Sequence, residues 1–234
     1  MIPKLIHQTA KTADLDARSR RLQKIVRDLH PDWTYRLWTD ADNDAFVRTE
    51  YPDFHAAFTA LPKNIMRADV IRYLLMDRLG GMYLDVDYEM LRPFDLLHYS
   101  AVIPWESDDV PGKFKQQLGN AFFAAMPGHP FFRRVIDVLQ SRGPLPPDAD
   151  VLSATGPVFL TELYRAMTPQ QQAEVYTADR KLFNPYSPRN KREYEAIVND
   201  KSVYGMHHCF GTWREYTLSQ RVRLRLSKLY RKMT

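Results

Sequence analysis

NIMRADVIRYLLMDRLGGMYLDVDYEML, residues 64–91, is the stretch on which the fold turns. Ile65, Ala68, Ile71, Leu75 and Leu79 recur at helical spacing, which predicts a helix packed by its apolar face on a core. Gly80 and Gly81 stop that helix, since a glycine takes the left-handed backbone of a helix C-cap without a Cβ penalty. From Met82 to Tyr88 the period becomes two. Leu84 and Val86 then fall on one face of a strand, and Tyr83, Asp85 and Asp87 on the other.

Two carboxylates on one face of a mostly buried strand repel each other and are costly to desolvate unless a cation compensates them. Asp85 and Asp87 at a strand's C-terminal end are therefore a candidate divalent-ion site, with hard oxygen ligands suited to Mg²⁺ or Mn²⁺. The plainer alternative is a solvated strand end or a turn cap. Asp69 and Arg72, three apart on the preceding helix, make a polar pair in an apolar run. A cation site beside an anion-binding arginine is what a diphosphate leaving group requires, while Asp69 and Arg72 can hold a sugar.

The block RADVIRYLLMDRLGGMYLDVD, residues 67–87, resembles the signature of the glycosyltransferases with the DxD sugar-binding motif. These are the enzymes related to the yeast initiating mannosyltransferase and, more distantly, the glucosylating clostridial toxins; the chain looks like a small bacterial member. Asp69, Arg72, Tyr83, Asp85 and Asp87 match that pattern in order and spacing. The resemblance runs from Ile2 to Trp213. It implies a single α/β domain of GT-A type, with a mostly parallel central sheet flanked by helices. It also implies transfer of a hexose from a UDP- or GDP-sugar to a hydroxyl on a glycan or lipid-linked acceptor, with retention of configuration. Asp69, Arg72, Asp85 and Asp87 would carry the catalysis.

By the same resemblance His7, Gln8 and Thr9 follow the first strand towards the nucleotide, Tyr83 shares the face of the Asp pair, and Asn120, Thr155 and Gly156 line the sugar and acceptor side. For His7 a satisfied core histidine is the alternative, for Asn120 a strand cap, and for Thr155 a helix cap. The segment 204–213 resembles the closing motif of the family, with Thr212 where relatives usually carry serine. The toxins place a metal-binding carboxylate five residues before a shared tryptophan. Counting back five from Trp213 gives His208, so the expected ligands of Mn²⁺ or Mg²⁺ are Asp87, His208 and, through water, Asp85, for which binding of ribose is the alternative. Trp213 would close over the β-phosphate, and His207 would be packing or hydrogen-bonded.

With 234 residues the chain can bury one substantial core, and 44% hydrophobic and 26% charged residues are those of a globular protein. The single cysteine, Cys209, excludes an internal disulfide framework and a cysteine-rich zinc site. The start MIPKLIHQT lacks the features of a secretion signal and no run approaches 18 apolar residues, so the expected location is the cytoplasm. The net charge of +5 is carried by residues 218–234, which hold six basic residues and no acidic one and leave −1 (+5 less 6) for the rest. This argues against a nucleic-acid binder. Val222, Leu224, Leu226 and Leu229 interleave with the basic residues, which predicts a peripheral contact with an anionic membrane at its inner face. A C-terminal helix with a solvated basic face is the alternative. The division expected is therefore a catalytic domain over 1–217 and a basic tail over 218–234.

Along the chain, strands are expected at 4–7, 33–38, 101–105 and 120–125, and helices at 17–29, 42–46, 54–60, 131–139 and 158–167. The alternation of strand and helix indicates an α/β fold. Residues 106–117 read as a polar loop over the site, and Glu89 as solvent-facing or as a third carboxylate. A metal-dependent nucleotide-sugar hydrolase and a non-catalytic sugar-binding module are the rival readings. The first needs a further fixed carboxylate or base aimed at water.

Overall fold

The computed structural model describes residues 1–96, 98–109, 115–185, 188 and 190–210. The chain opens with β1 (Leu5–Thr9), α1 (Ala17–Leu29) and β2 (Thr34–Trp38). Asp16 caps α1 by accepting from the N–H groups of Arg18 and Ser19, at 2.8 and 3.0 Å. There follow α2 (Asp40–Glu50), α3 (Pro52–Thr59) and α4 (Asn64–Arg78). Asp40 is the first residue of α2, and Thr39 with Asp42 forms a capping box there. The chain then runs through β3 (Gly81–Leu84), β4 (Tyr88–Met90), β5 (Ala101–Val102), β6 (Phe122–Ala125) and α5 (Pro130–Ser141). It ends with α6 (Val151–Ala154), α7 (Pro157–Arg165), α8 (Pro169–Ala173), β7 (Val175–Tyr176), α9 (Arg180–Phe183), α10 (Lys191–Asn199) and β8 (Gly205–His207).

Six strands make one mixed sheet in the order β2-β1-β3-β6-β5-β7, and β4 pairs with β8 in a separate two-stranded ribbon. Three of the five pairings in the main sheet are parallel, and β6 runs antiparallel to both β3 and β5. The strands alternate as a sheet covered on both faces requires. Tyr83, Phe123 and Ala125 face a core built with α4, α5 and α7, while Met82, Leu84, Phe122 and Ala124 face the other with α1 and α9.

Two expectations change at the centre. Helix α4 is not buried by one face alone: every residue from Asp69 to Asp77 is buried, because sheet and helices pack on it from several directions. Its polar pair therefore lies inside the protein. The strand expected over 82–88 stops at Leu84, and Asp85 to Asp87 form a turn closed by the Tyr88 N–H on the Asp85 carbonyl at 2.9 Å. The two carboxylates converge by that turn and not by strand alternation.

Gly80 and Gly81 both have positive φ, 64° and 95°. A Cβ on Gly81 would lie 2.4 Å from the Leu5 carbonyl oxygen. Only glycine lets α4 double back so closely beside β1, and this delivers the Asp turn to the C-terminal edge of the parallel strands, where open α/β sheets bind ligands.

Candidate functional site

Strands β1 and β3 end side by side, with His7 opposite Tyr83. The Asp85 N–H is held by the Ala121 carbonyl at 2.9 Å. Its carboxylate accepts from the Tyr83 hydroxyl at 2.7 Å and pairs with the Arg72 guanidinium at 3.2 Å. Since Tyr83 gives its proton to Asp85, the 2.9 Å contact between Thr9 Oγ1 and the Tyr83 oxygen is donated by Thr9. Arg72 also lies over the Tyr83 ring, 4.9 Å from its centroid.

Asp87 is held from the ribbon. His207 Nε2 donates to its Oδ1 at 3.1 Å, and the Phe210 N–H donates to Oδ2 at 2.8 Å. His207 Nε2 is also 3.8 Å from an oxygen of Asp85. One ligand atom from each of Asp85, Asp87 and His207 lies within 4.8 Å of the others, the one such group of three among the described residues. Register explains the third member. His207 is the partner of Tyr88 across the ribbon, next to Asp87, and the chain then turns His208 away. His208 Nε2 instead donates to Glu89 at 2.7 Å, beside the Tyr194 hydroxyl on the same carboxylate. The structure thus brings His207, and not the expected His208, to the Asp pair. Glu89, read as solvent-facing or as a third carboxylate, is buried in this second cluster.

The electrostatics fit a cation. Burial opposes the charge on Asp87, but His207 and the Phe210 N–H outweigh it and hold its carboxyl below the ordinary range. Burial also works against the His207 imidazolium, yet its hydrogen bond to Asp87, with Cys209 and Asp85 adding to it, pushes the ring up to about 11. The proton on His207 does the compensating that a metal would do. Two carboxylates and one imidazole are a donor set that suits Mn²⁺ better than Mg²⁺.

The second half of the site is organised on α4. Asp69 accepts from Asn120 Nδ2 at 3.0 Å and from Thr155 Oγ1 at 2.9 Å, and pairs with Arg72 at 3.3 Å. Burial pushes its carboxyl up to about 6, with Arg72 as the main opposing influence. Arg72 donates to the carbonyls of Ala68 and Asn120 at 2.9 and 2.6 Å. The Thr155 side chain therefore serves Asp69 and does not cap α7, whose N-cap residue is Gly156; Thr155 itself is the C-cap residue of α6. Three separate stretches of the sequence meet here, through Asp69 with Arg72, Asn120 and Thr155.

The residues after β1 divide. His7 is fully buried, accepts from the Trp38 indole at 3.0 Å, and donates from Nε2 to the Gly80 carbonyl at 2.9 Å. Burial pulls its pKa down to about 4, so it is a neutral brace between β2 and the glycine turn. Gln8 accepts from the Tyr35 hydroxyl at 2.7 Å and donates to the Asp85 carbonyl at 3.2 Å, steadying the turn from beneath. Trp213 and the tail lie outside the described residues.

One carboxylate went unremarked in the sequence: Glu106. Its N–H donates to the Gln117 carbonyl at 2.9 Å, at the base of the loop read as covering the site. Burial pushes its carboxyl up to about 7, His207 pulls the other way, and Asp85 and Asp69 add to burial. The only sequence signal was an acid directly after the strand expected at 101–105, with Asp108 and Asp109 close behind it.

Residues 16–104 match the glycosyltransferase sugar-binding region containing the DXD motif. Inositol phosphoceramide mannosyltransferase 3 of Schizosaccharomyces pombe is 38% identical over 178 residues, which cover 75% of this chain and 48% of the relative. The chain is related to the DXD-motif glycosyltransferases. Another relative of that group, mannosyl phosphorylinositol ceramide synthase CSH1 of Saccharomyces cerevisiae, is 36% identical over 168 residues, covering 70% of this chain and 43% of the relative. The chain thus spans about half the length of the curated relatives it matches. A solved structure, the PaToxG glycosyltransferase, superposes with a TM-score of 0.54 over 95% of this chain and 84% of its own, at 15% identity. That likeness is one of fold.

Proposed function

We propose that this chain transfers a hexose from a nucleoside diphosphate sugar to a hydroxyl acceptor, with a divalent cation held by Asp87, His207 and Asp85. The observation that carries the reading is the meeting of two constellations, Asp85–Asp87–His207 and Asp69–Arg72, bridged by the Arg72–Asp85 ion pair. When bound, the cation neutralises diphosphate oxygens and so stabilises the leaving group.

The chain's own residues do the rest. Arg72, charged under all conditions and anchored by two carbonyls, presents fixed positive charge towards the phosphate side. Asp69 accepts hydroxyls of the sugar with the lone pairs that Asn120 and Thr155 leave. Thr9 lies at the open end of β1, in reach of the nucleoside, while Gln8 and His7 hold the floor. Transfer breaks the bond from the anomeric carbon to the diphosphate oxygen, which keeps the electron pair. The acceptor oxygen forms the new bond, and its proton passes to the departing diphosphate on the same face, so configuration is retained. A side chain acting as nucleophile is not needed in this scheme.

The names of the relatives make mannose the first sugar to try and an inositol phospholipid the first acceptor. A lipid-linked acceptor accords with the proposed membrane contact of residues 218–234. Among the described residues no helix is long and apolar enough to cross a membrane. The test is nucleotide release from a panel of GDP- and UDP-sugars with Mn²⁺, with and without inositol-containing lipid vesicles. Release that rises with acceptor supports transfer. Acceptor-independent release at full rate supports the hydrolase instead, and binding without release supports the binding module.

A further inference from the structure

Among the described residues, the charged groups at the centre of the site are hydrogen-bonded or ion-paired, Glu106 apart. Asp69, Arg72, Asp85, Asp87 and His207 are all hydrogen-bonded or ion-paired. Glu106 accepts no hydrogen bond on its carboxylate among the described residues, although it is more than half buried. Its oxygens are not buried without a partner, so water reaches them, and hydroxyl donors of a ligand can take the place of that water.

Its position is bracketed from two sides. On one side it lies along Gly119: a Cβ built there would be 3.3 Å from Glu106 Cβ and 3.7 Å from its Oε2. The next residue, Asn120, donates to Asp69 and gives its carbonyl to Arg72. On the other side Glu106 lines a small cavity with Tyr88 and Asn184. Asn184 accepts from the His207 N–H at 3.4 Å, and Tyr88 pairs with His207 across the ribbon. Glu106 thus neighbours both the residues proposed to hold the sugar and those proposed to hold the metal, its carboxyl feeling the charges of His207 and Asp85 as well as those of Asp69 and Arg72. A sugar joined to a metal-bound diphosphate neighbours both groups too.

We infer that Glu106 contacts the transferred sugar, its carboxylate accepting hydrogen bonds from hydroxyls of the donor hexose and so helping to select which sugar is used. This rests on the glycosyltransferase reading above. The chemistry suits the role, because a carboxylate takes two neighbouring hydroxyls at once whereas an amide accepts with one oxygen only.

The test compares the intact chain with Glu106→Gln, which preserves size, using GDP-mannose and UDP-glucose as donors and GDP and UDP as sugar-free controls. For the donor that is used, kcat/KM of Mn²⁺-dependent consumption should fall ten- to hundredfold, the loss of a charge-assisted hydrogen bond. Affinity for the sugar-free nucleotide and the Mn²⁺ titration midpoint should stay within about threefold, which a misfolded variant would not allow. An unchanged kcat/KM overturns the assignment. An equal loss of nucleotide affinity overturns it as well, since the residue would then act on the fold. A shifted Mn²⁺ midpoint makes Glu106 a metal ligand and also overturns it. If the unaltered protein binds neither donor, the glycosyltransferase reading fails first and takes the assignment with it.

Discussion

His207 and His208 are neighbours in sequence whose side chains part company in space, and the parting is set by a strand register that no residue count reveals. The Asp pair was legible from its spacing and from the glycines before it. The histidine was not, because counting back from Trp213 carries no information on how β8 pairs with β4. His207→Ala should weaken Mn²⁺ binding tenfold or more, whereas His208→Ala should change it less than about threefold, by calorimetric titration. Equal losses would place the ion elsewhere. A pH dependence follows from the same residue. His207 is protonated at neutral pH, being pushed up to about 11, so a metal must displace its proton. Mn²⁺ affinity should rise with pH, by up to about tenfold per unit between pH 6 and 8, and His207→Ala should flatten that slope. Glu106 was illegible for a different reason: its meaning depends on Gly119 and Asn120, and nothing local marks an acid that points across a loop.

At the scale of elements, the helix and its Gly-Gly stop were read almost to their ends; one left-handed glycine was expected there, and both have positive φ. What failed was the extension of strand alternation through Asp85 and Asp87, because the backbone turns there to hydrogen-bond with itself. The all-round burial of α4 was hidden as well: an apolar stripe records the first packing partner, and Asp69 and Arg72 conceal the others by pairing inside. The two kinds of glycine give a contrast. Gly81→Ala meets both a φ of 95° and a backbone oxygen at 2.4 Å, and should cost about 3 kcal/mol or prevent folding. Gly128→Ala has a φ of 69° but open space within 4 Å, so only about 1 kcal/mol is expected. Denaturant unfolding of the two variants compares these directly; equal costs would remove the close approach as the reason for Gly81.

For the whole molecule, the alternation of elements made the α/β class legible, and the parallel trio β2-β1-β3 follows from it. In the far half of the sheet β5 and β6 lie within the strands expected at 101–105 and 120–125, although β5 is cut to two residues. Stability should carry the mark of the uncompensated site. His207 has a folded pKa raised above its ordinary 6.5, so its contribution is complete below about pH 6.5 and is lost as pH rises towards 11. In chelator the unfolding free energy should therefore decline over that window, by at most about 1.4 kcal/mol per unit from this group, and Mn²⁺ should offset the decline. A metal-free stability that rises from pH 7 to 9 would contradict this. The most direct measurement is an anomalous diffraction map from crystals grown with Mn²⁺ and GDP or UDP. A single strong manganese peak should lie within bonding distance of Asp87 and His207 and beside Asp85, with the diphosphate completing its shell. A peak between Glu89 and His208, or none near the Asp turn while nucleotide is bound, would contradict the proposed site.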